Sequence, residues 1–217
     1  MPSPNTIKTY VEDGYYHIYN RGVEKRRIFA DSADYSKFLY FLKIYLTPVD
    51  TLYQQEPLLR PYVVNNNLSE SLDLLAFCLM HNHFHLLVRQ KTKDAITKLA
   101  RQIMTGYSMY FNKRYGRIGS LFQGVFKASM IDSDEYLLHL SRYIHLNPKE
   151  RGIAPMDYEW SSYACYVGKK DFIWLNTKII SDYFKSKNHD LNYEKFVEDF
   201  RQSTLSKTLT IEDPLES

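Results

Sequence analysis

The 217-residue sequence predicts an α+β fold, a ferredoxin-like antiparallel sheet with helices on one face. Three observations predict it. Short aromatic and β-branched runs alternate with stretches whose apolar residues recur at helical spacing. Two of those runs, "LLAFCLM" and "HFHLLVR", are separated only by His81-Asn82, a link that suits a hairpin. The order strand, helix, strand, strand, helix, strand then reproduces the split βαβ arrangement, and one more helix follows.

Each element has its own signal. Tyr15 to Asn20 is aromatic and β-prone, and the turn-forming Asn20-Arg21-Gly22 closes it. Asp31 or Ser32 caps a helix whose apolar face is Tyr35, Phe38, Leu39, Leu42 and Tyr45, and Pro48 ends it. Thr47 to Ser71, with Pro57, Pro61 and Asn65-Asn66-Asn67, reads as a long irregular excursion. Leu74 to Met80 is a buried strand and His83 to Arg89 its partner. Asp94 caps a second helix with Ile96, Leu99, Ile103, Tyr107, Tyr110 and Phe111 inward, ending near Tyr115-Gly116. Val125 to Ile131 is the fourth strand. Asp132 with Glu135 resembles a capping box for a third helix over about 133–147, which Pro148 stops. The expected organisation is a domain over 1–150 and a C-terminal extension over 151–217, packed on it or appended to it. The polar tail from about Ser203 is expected to be loose.

Composition bounds the function. Hydrophobic residues are 44% and charged residues 24% of the chain, ordinary values for a globular protein. The two cysteines, Cys78 and Cys165, form no CxxC motif and no disulfide framework. No apolar run reaches about 18 residues and the N-terminus lacks a signal-peptide core, so a cytoplasmic protein without membrane attachment is expected. The net charge is only +3. Between Lys91 and Lys127, however, eight cations stand against Asp94 alone, a surplus suited to a polyanion. A solvated helix face is the plainer reading of the same charges.

Three of the seven histidines crowd into "HNHFH". Strand alternation puts His83 and His85 on one face and Phe84 on the other, with the two histidines about 7 Å apart along the backbone. Two ring nitrogens at that spacing can converge on one cation, although two surface histidines on a half-buried strand would look the same. In "HLSRYIHLNP", His139, Tyr143 and Asn147 share one helical face at i, i+4, i+8. Two imidazoles and an amide oxygen with open positions suit Mg²⁺ or Mn²⁺ better than a closed structural Zn²⁺ cage. Tyr143 would stand one turn from such a cation, or would simply pack between helix and sheet.

The stretches "YHIYNRGVEKRRIF", "LMHNHFHLLVRQ", "RYGRIGSLFQGVFKAS" and "EYLLHLSRYIHLNPKERGI", followed by "YEWSSY", resemble the single-tyrosine transposases of the HUH superfamily, most closely the REP-associated tyrosine transposases. The resemblance runs from Tyr15 to Tyr163. It implies metal ligands at His83, His85 and Asn147 and a nucleophile at Tyr143, carried by the last helix. It implies metal-dependent cleavage and rejoining of single-stranded DNA beside a hairpin, through a 5′-phosphotyrosine. Many members carry proline where this chain has His81, which is left without a family role. Phosphate contacts are expected from Arg21, Lys25, Arg26, Arg27, Lys113, Arg114, Arg117 and Lys127. A homodimer is among the expected assemblies. Two other classes stay open: a descendant that binds nucleic acid without cutting it, and a metal-dependent hydrolase in which water attacks.

Overall fold

The computed structural model describes residues 10–58, 61–187 and 192–199. The tail expected to be loose lies outside the described residues. Four strands, β1 (Tyr15–Arg21), β2 (Leu72–Met80), β3 (His83–Gln90) and β4 (Lys127–Ile131), form one sheet in the order β2-β3-β1-β4, with every pairing antiparallel. This is the strand order of a ferredoxin-like split βαβ sheet, as the sequence predicts.

Helix α1 (Ser32–Leu46) connects β1 to β2, after Asp31 caps it by accepting from the backbone N–H of Ala33 and Asp34. The segment expected to be irregular contains two short helices, α2 (Val49–Gln55) and α3 (Pro61–Asn65). Pro48 and Pro61 stand where a helix tolerates a missing N–H, so these prolines start helices as well as stopping one. Helix α4 (Ala95–Arg114) runs between β3 and β4. Asp94 precedes it in the left-handed region, at φ 67°, and its side chain caps nothing. Helix α5 (Asp134–Leu146) is capped by Ser133, whose Oγ accepts from Tyr136 N–H, and not by Asp132.

Alternation divides the sheet into two apolar faces. Ile18, Phe77, Leu79, Phe84, Leu86 and Val88 pack with α1 and α4 around Phe38, Leu42, Leu99, Ile103 and Tyr107. Ala76, Cys78, Met80 and Leu87 point the other way, toward Leu137, Leu140 and Ile144 of α5. A register shift between Leu74 and Ala76 lets Leu75 and Ala76 both reach this second face. The helices expected on one face are therefore α1 and α4, while α5 lies across the opposite one.

Beyond α5 come the short helix α6 (Tyr163–Tyr166), α7 (Lys178–Lys187) and α8 (Tyr193–Glu198). Their packing is anchored by a buried polar junction. His145, with no exposed surface, meets Tyr193 Oη through Nδ1 at 2.7 Å and Ser162 Oγ through Nε2 at 2.7 Å. Ser162 Oγ also accepts from Phe77 N–H at 2.8 Å and donates to Phe77 O at 3.2 Å. One hydroxyl thus joins strand, helix and C-terminal segment.

Ser162→Ala strands the Phe77 amide and the His145 ring in an apolar interior. It should cost about 1–3 kcal/mol in urea denaturation, with the slope of the transition unchanged. An unchanged midpoint would remove the junction from the account.

Candidate active site

The site lies on the sheet face that α5 covers. Cross-strand register sets Tyr19 opposite His85 and Arg21 opposite His83 on β1, and Lys127 opposite Tyr19 on β4. His17, Tyr19, His83 and His85 therefore share one face, and α5 adds Tyr143 and Asn147 from above. The rings of His83 and His85 are 5.0 Å apart between centroids, and Tyr143 stands edge-on to His85 at 5.7 Å. The four residues singled out by sequence, His83, His85, Tyr143 and Asn147, meet within one chain.

Hydrogen bonds fix how these groups point. Asn147, 2% exposed, sits at the C-cap of α5 in helical conformation, and its Nδ2 donates to Tyr143 O at 3.1 Å. That bond turns Oδ1 toward His83 Nε2, 3.3 Å away. Asn82 donates through Nδ2 to Lys25 O, so its Oδ1 accepts from His83 Nδ1 at 2.7 Å. A neutral His83 carrying its proton on Nδ1 then presents a lone pair at Nε2 to the lone pairs of Asn147 Oδ1. His85 is fully buried, its Nδ1 lies 2.8 Å from His17 Nε2, and its own Nε2 makes no hydrogen bond of normal geometry.

Converging acceptors with a buried orphan nitrogen suit a cation. Among the described residues, no group of three or more His, Cys, Asp or Glu is placed to hold a metal ion by itself, so a cation site here must draw on the Asn147 oxygen. Two imidazoles and one amide oxygen fit Mg²⁺ or Mn²⁺, whose remaining positions are filled by water or phosphate oxygens.

Burial pushes the imidazoles toward their neutral form. Desolvation brings the His17 pKa down to about 3. Desolvation, then the neighbouring His83 and His17, hold His85 well below the usual imidazole value, while the Asn147 side chain pulls slightly the other way. Neutral rings are the form that can ligate.

The expected phosphate contacts separate into groups. Arg21 and Lys127 border the histidines. Arg21 Nε donates to Gln123 Oε1 at 2.6 Å, and Lys127 Nζ stands 5.9 Å from the centre of the Tyr19 ring. Lys25, Arg26 and Arg27 follow β1, with Arg26 paired to Glu24 at 3.5 Å and Arg27 exposed. Lys113 and Arg114 lie on α4 and Arg117 just beyond it, on the side of the sheet away from the histidines. Arg114 holds both Asp31 and the buried Asp34 at 2.6 Å. Arg117 donates to Asn112 Oδ1 at 3.2 Å. His139 is turned to Arg142 and Glu135. His17, Tyr19 and Asn82 belong to the site without a motif that marks them in the sequence. The alternation of "HIY" placed His17 and Tyr19 on one face, but only the pairing of β1 with β3 shows that this face is the histidine face.

Residues 51–147 match the family model described as "Transposase IS200 like", a span that includes all four central residues. Over that span the chain is similar to the IS200-like transposases. The match supports the resemblance to tyrosine transposases carried by the motifs. No curated protein matches the chain. Among solved structures, a REP-associated tyrosine transposase bound to a REP hairpin is 14% identical, covering 76% of this chain and 93% of its own, with a TM-score of 0.47. A protein from Deinococcus radiodurans described as a candidate transposase is 14% identical, covering 69% and 98%, with a TM-score of 0.37. A tRNA(His) guanylyltransferase from Saccharomyces cerevisiae is 11% identical, covering 88% and 86%, with a TM-score of 0.33. Overlap this loose adds nothing to the strand order already described. Among the described residues, no helix is long and apolar enough to cross a membrane.

The buried histidines predict an acid-side loss of stability for the metal-free protein. Folding lowers the pKa of His17 and of His145 to about 3 by desolvation. The unfolded chain takes up a proton at each below about pH 6.5, where the folded chain does not. Stability should therefore fall as pH drops from 6.5 toward 5, by about 1 kcal/mol per pH unit for each histidine. Urea midpoints at pH 7, 6 and 5 read the slope, and a flat profile would contradict it.

Proposed function

We propose that the protein cleaves and rejoins single-stranded DNA, with Tyr143 as the nucleophile and His83, His85 and Asn147 as the ligands of a divalent cation, Mg²⁺ or Mn²⁺. The observation that carries this reading is the convergence of the four groups in one chain, with the buried His85 Nε2 making no hydrogen bond of normal geometry. A bound cation would polarise the scissile phosphate and neutralise its charge. The family match over residues 51–147 supports a transposase-like role.

The residues divide the work. Tyr143 Oη gives its proton to water and attacks phosphorus, the P–O bond to the 3′ oxygen breaks, and that oxygen takes a proton from water to leave as a 3′-hydroxyl. The DNA 5′ end is left as a phosphotyrosine ester. Attack by a 3′-hydroxyl reverses the step, so bond energy is kept and no nucleotide cofactor is needed. Asn147 orients its own oxygen and, through Nδ2, ties the C-terminal turn of α5 to the Tyr143 carbonyl. Arg21 and Lys127 border the site on the sheet and are suited to phosphates on either side of the cut. Of the remaining cations, Lys25, Arg26 and Arg27 after β1 would serve more distant backbone, with Lys113 and Arg117 farther still, while Arg114 is taken up by Asp31 and Asp34. By resemblance, the substrate is a hairpin with a flanking single strand. Water attack would leave no protein–DNA bond, and a non-cleaving binder would leave DNA intact.

Wild-type protein with Mn²⁺ and a labelled single strand should yield an adduct that survives denaturation, and Tyr143→Phe should yield none. An adduct persisting in Tyr143→Phe would reassign the nucleophile. His83→Ala and Asn147→Ala should each slow cleavage at least as much as the roughly 10–100-fold typical of losing an outer-shell partner, and a chelator should abolish it. Cleavage indifferent to chelator would remove the cation.

A further inference from the structure

The motif "YHIYN" of β1 places His17 against the candidate ligand His85. His17 is 2% exposed, and its Nε2 lies 2.8 Å from His85 Nδ1. The two ring planes differ by only 21°, with centroids 5.0 Å apart. Near-coplanar rings meeting nitrogen to nitrogen put the proton of one in line with the in-plane lone pair of the other. Tyr19 lies against His17 at 4.8 Å and holds its plane.

A single proton occupies that bond, and its owner decides what His85 can do. If His17 donates, His85 carries its own proton on Nε2 and has no lone pair for the site. If His85 donates from Nδ1, its Nε2 lone pair faces the same space as His83 Nε2 and Asn147 Oδ1. His83 is already set in the matching tautomer by Asn82. Both ligand rings would then be protonated at Nδ1 and open at Nε2, each oriented by a neighbour, as outer-shell groups orient histidine ligands elsewhere.

We propose that His17 is a positioning residue, which accepts the Nδ1–H of His85 and so fixes the tautomer that turns His85 Nε2 into a ligand. This rests on the metal-site reading above. His17 touches no reacting atom, and it acts only through His85.

The test reads the proton directly. In metal-free wild-type protein, ¹⁵N spectra of the imidazoles should place the His85 proton on Nδ1. His17→Phe keeps an aromatic ring and removes the acceptor, and it should shift His85 toward protonation at Nε2. It should also weaken Mn²⁺ binding by about 10–100-fold, measured by calorimetry on protein shown to be folded by circular dichroism. His17→Gln, which can offer an amide oxygen near the lost Nε2, should restore most of the affinity. The proposal is overturned if wild-type His85 carries its proton on Nε2, or if folded His17→Phe binds Mn²⁺ as tightly as wild type does. If wild type binds no Mn²⁺ while His85 is protonated on Nδ1, the metal reading falls and the positioning role of His17 stands.

Discussion

The candidate site depends on how α5 is held across the sheet. His145 is the pin. A fully buried imidazole must find partners for both nitrogens, and here they are Tyr193 from the C-terminal segment and Ser162, itself bonded to the backbone of β2. Because His145 is locked, the residues two positions to either side are locked with it. Tyr143 and Asn147 are those residues. Apolar contacts from Leu137, Leu140 and Ile144 supply most of the burial, but they would tolerate small slides along the helix. The polar junction does not, because a shift of about 1.5 Å, one residue of rise, breaks its bonds.

The sheet contributes the other half of the constraint. Period-2 alternation sends Phe84, Leu86 and Val88 into the α1–α4 core while His83 and His85 look toward α5. A one-residue slip of β3 would bury His83 and His85 among Phe38, Phe77 and Leu99 and expose Phe84 to the site. The apolar half of the strand thus sets the register of its polar half. Neutral imidazoles and an amide make an uncharged donor set, which a purely apolar neighbourhood tolerates better than carboxylates. Positive charge is kept to the border, at Arg21 and Lys127, where a phosphate can reach it.

Much of this was legible in the sequence, and the misses have physical causes. The strand pair around His81-Asn82 and the face shared by Tyr143 and Asn147 follow from local periodicities, which tertiary structure did not override. The capping residues did not follow. Asp94 and Asp132 are good caps by type, but a cap requires extended backbone at that residue, and Asp94 is left-handed while Ser133 has the extended geometry. The 47–71 stretch read as irregular because its helices are short, and the described part of that stretch buries only two apolar residues, Leu52 and Leu68, too few for a clear period. His17 was invisible for a different reason. Its partner lies 68 positions away, and nothing in β1 alone says that β3 is its neighbour. Arg114 shows the limit of counting charges, since its guanidinium is held by Asp31 and Asp34, more than 75 positions earlier.

A site built within one chain also bears on how the chemistry is organised. The Tyr143 ring stands 5.7 Å from that of His85 on a helix of the same chain, so no second copy is needed to bring the proposed nucleophile and the proposed ligands together. Three further ties reinforce that arrangement: Asn147 Nδ2 to the Tyr143 carbonyl, Asn82 to His83, and His17 to His85. Each proposed ligand is oriented by a residue beside it in sequence, in the sheet or one helical turn away. Preorganisation of this kind suits the proposed reversible cleavage, because groups that would guide attack are equally in place for the return.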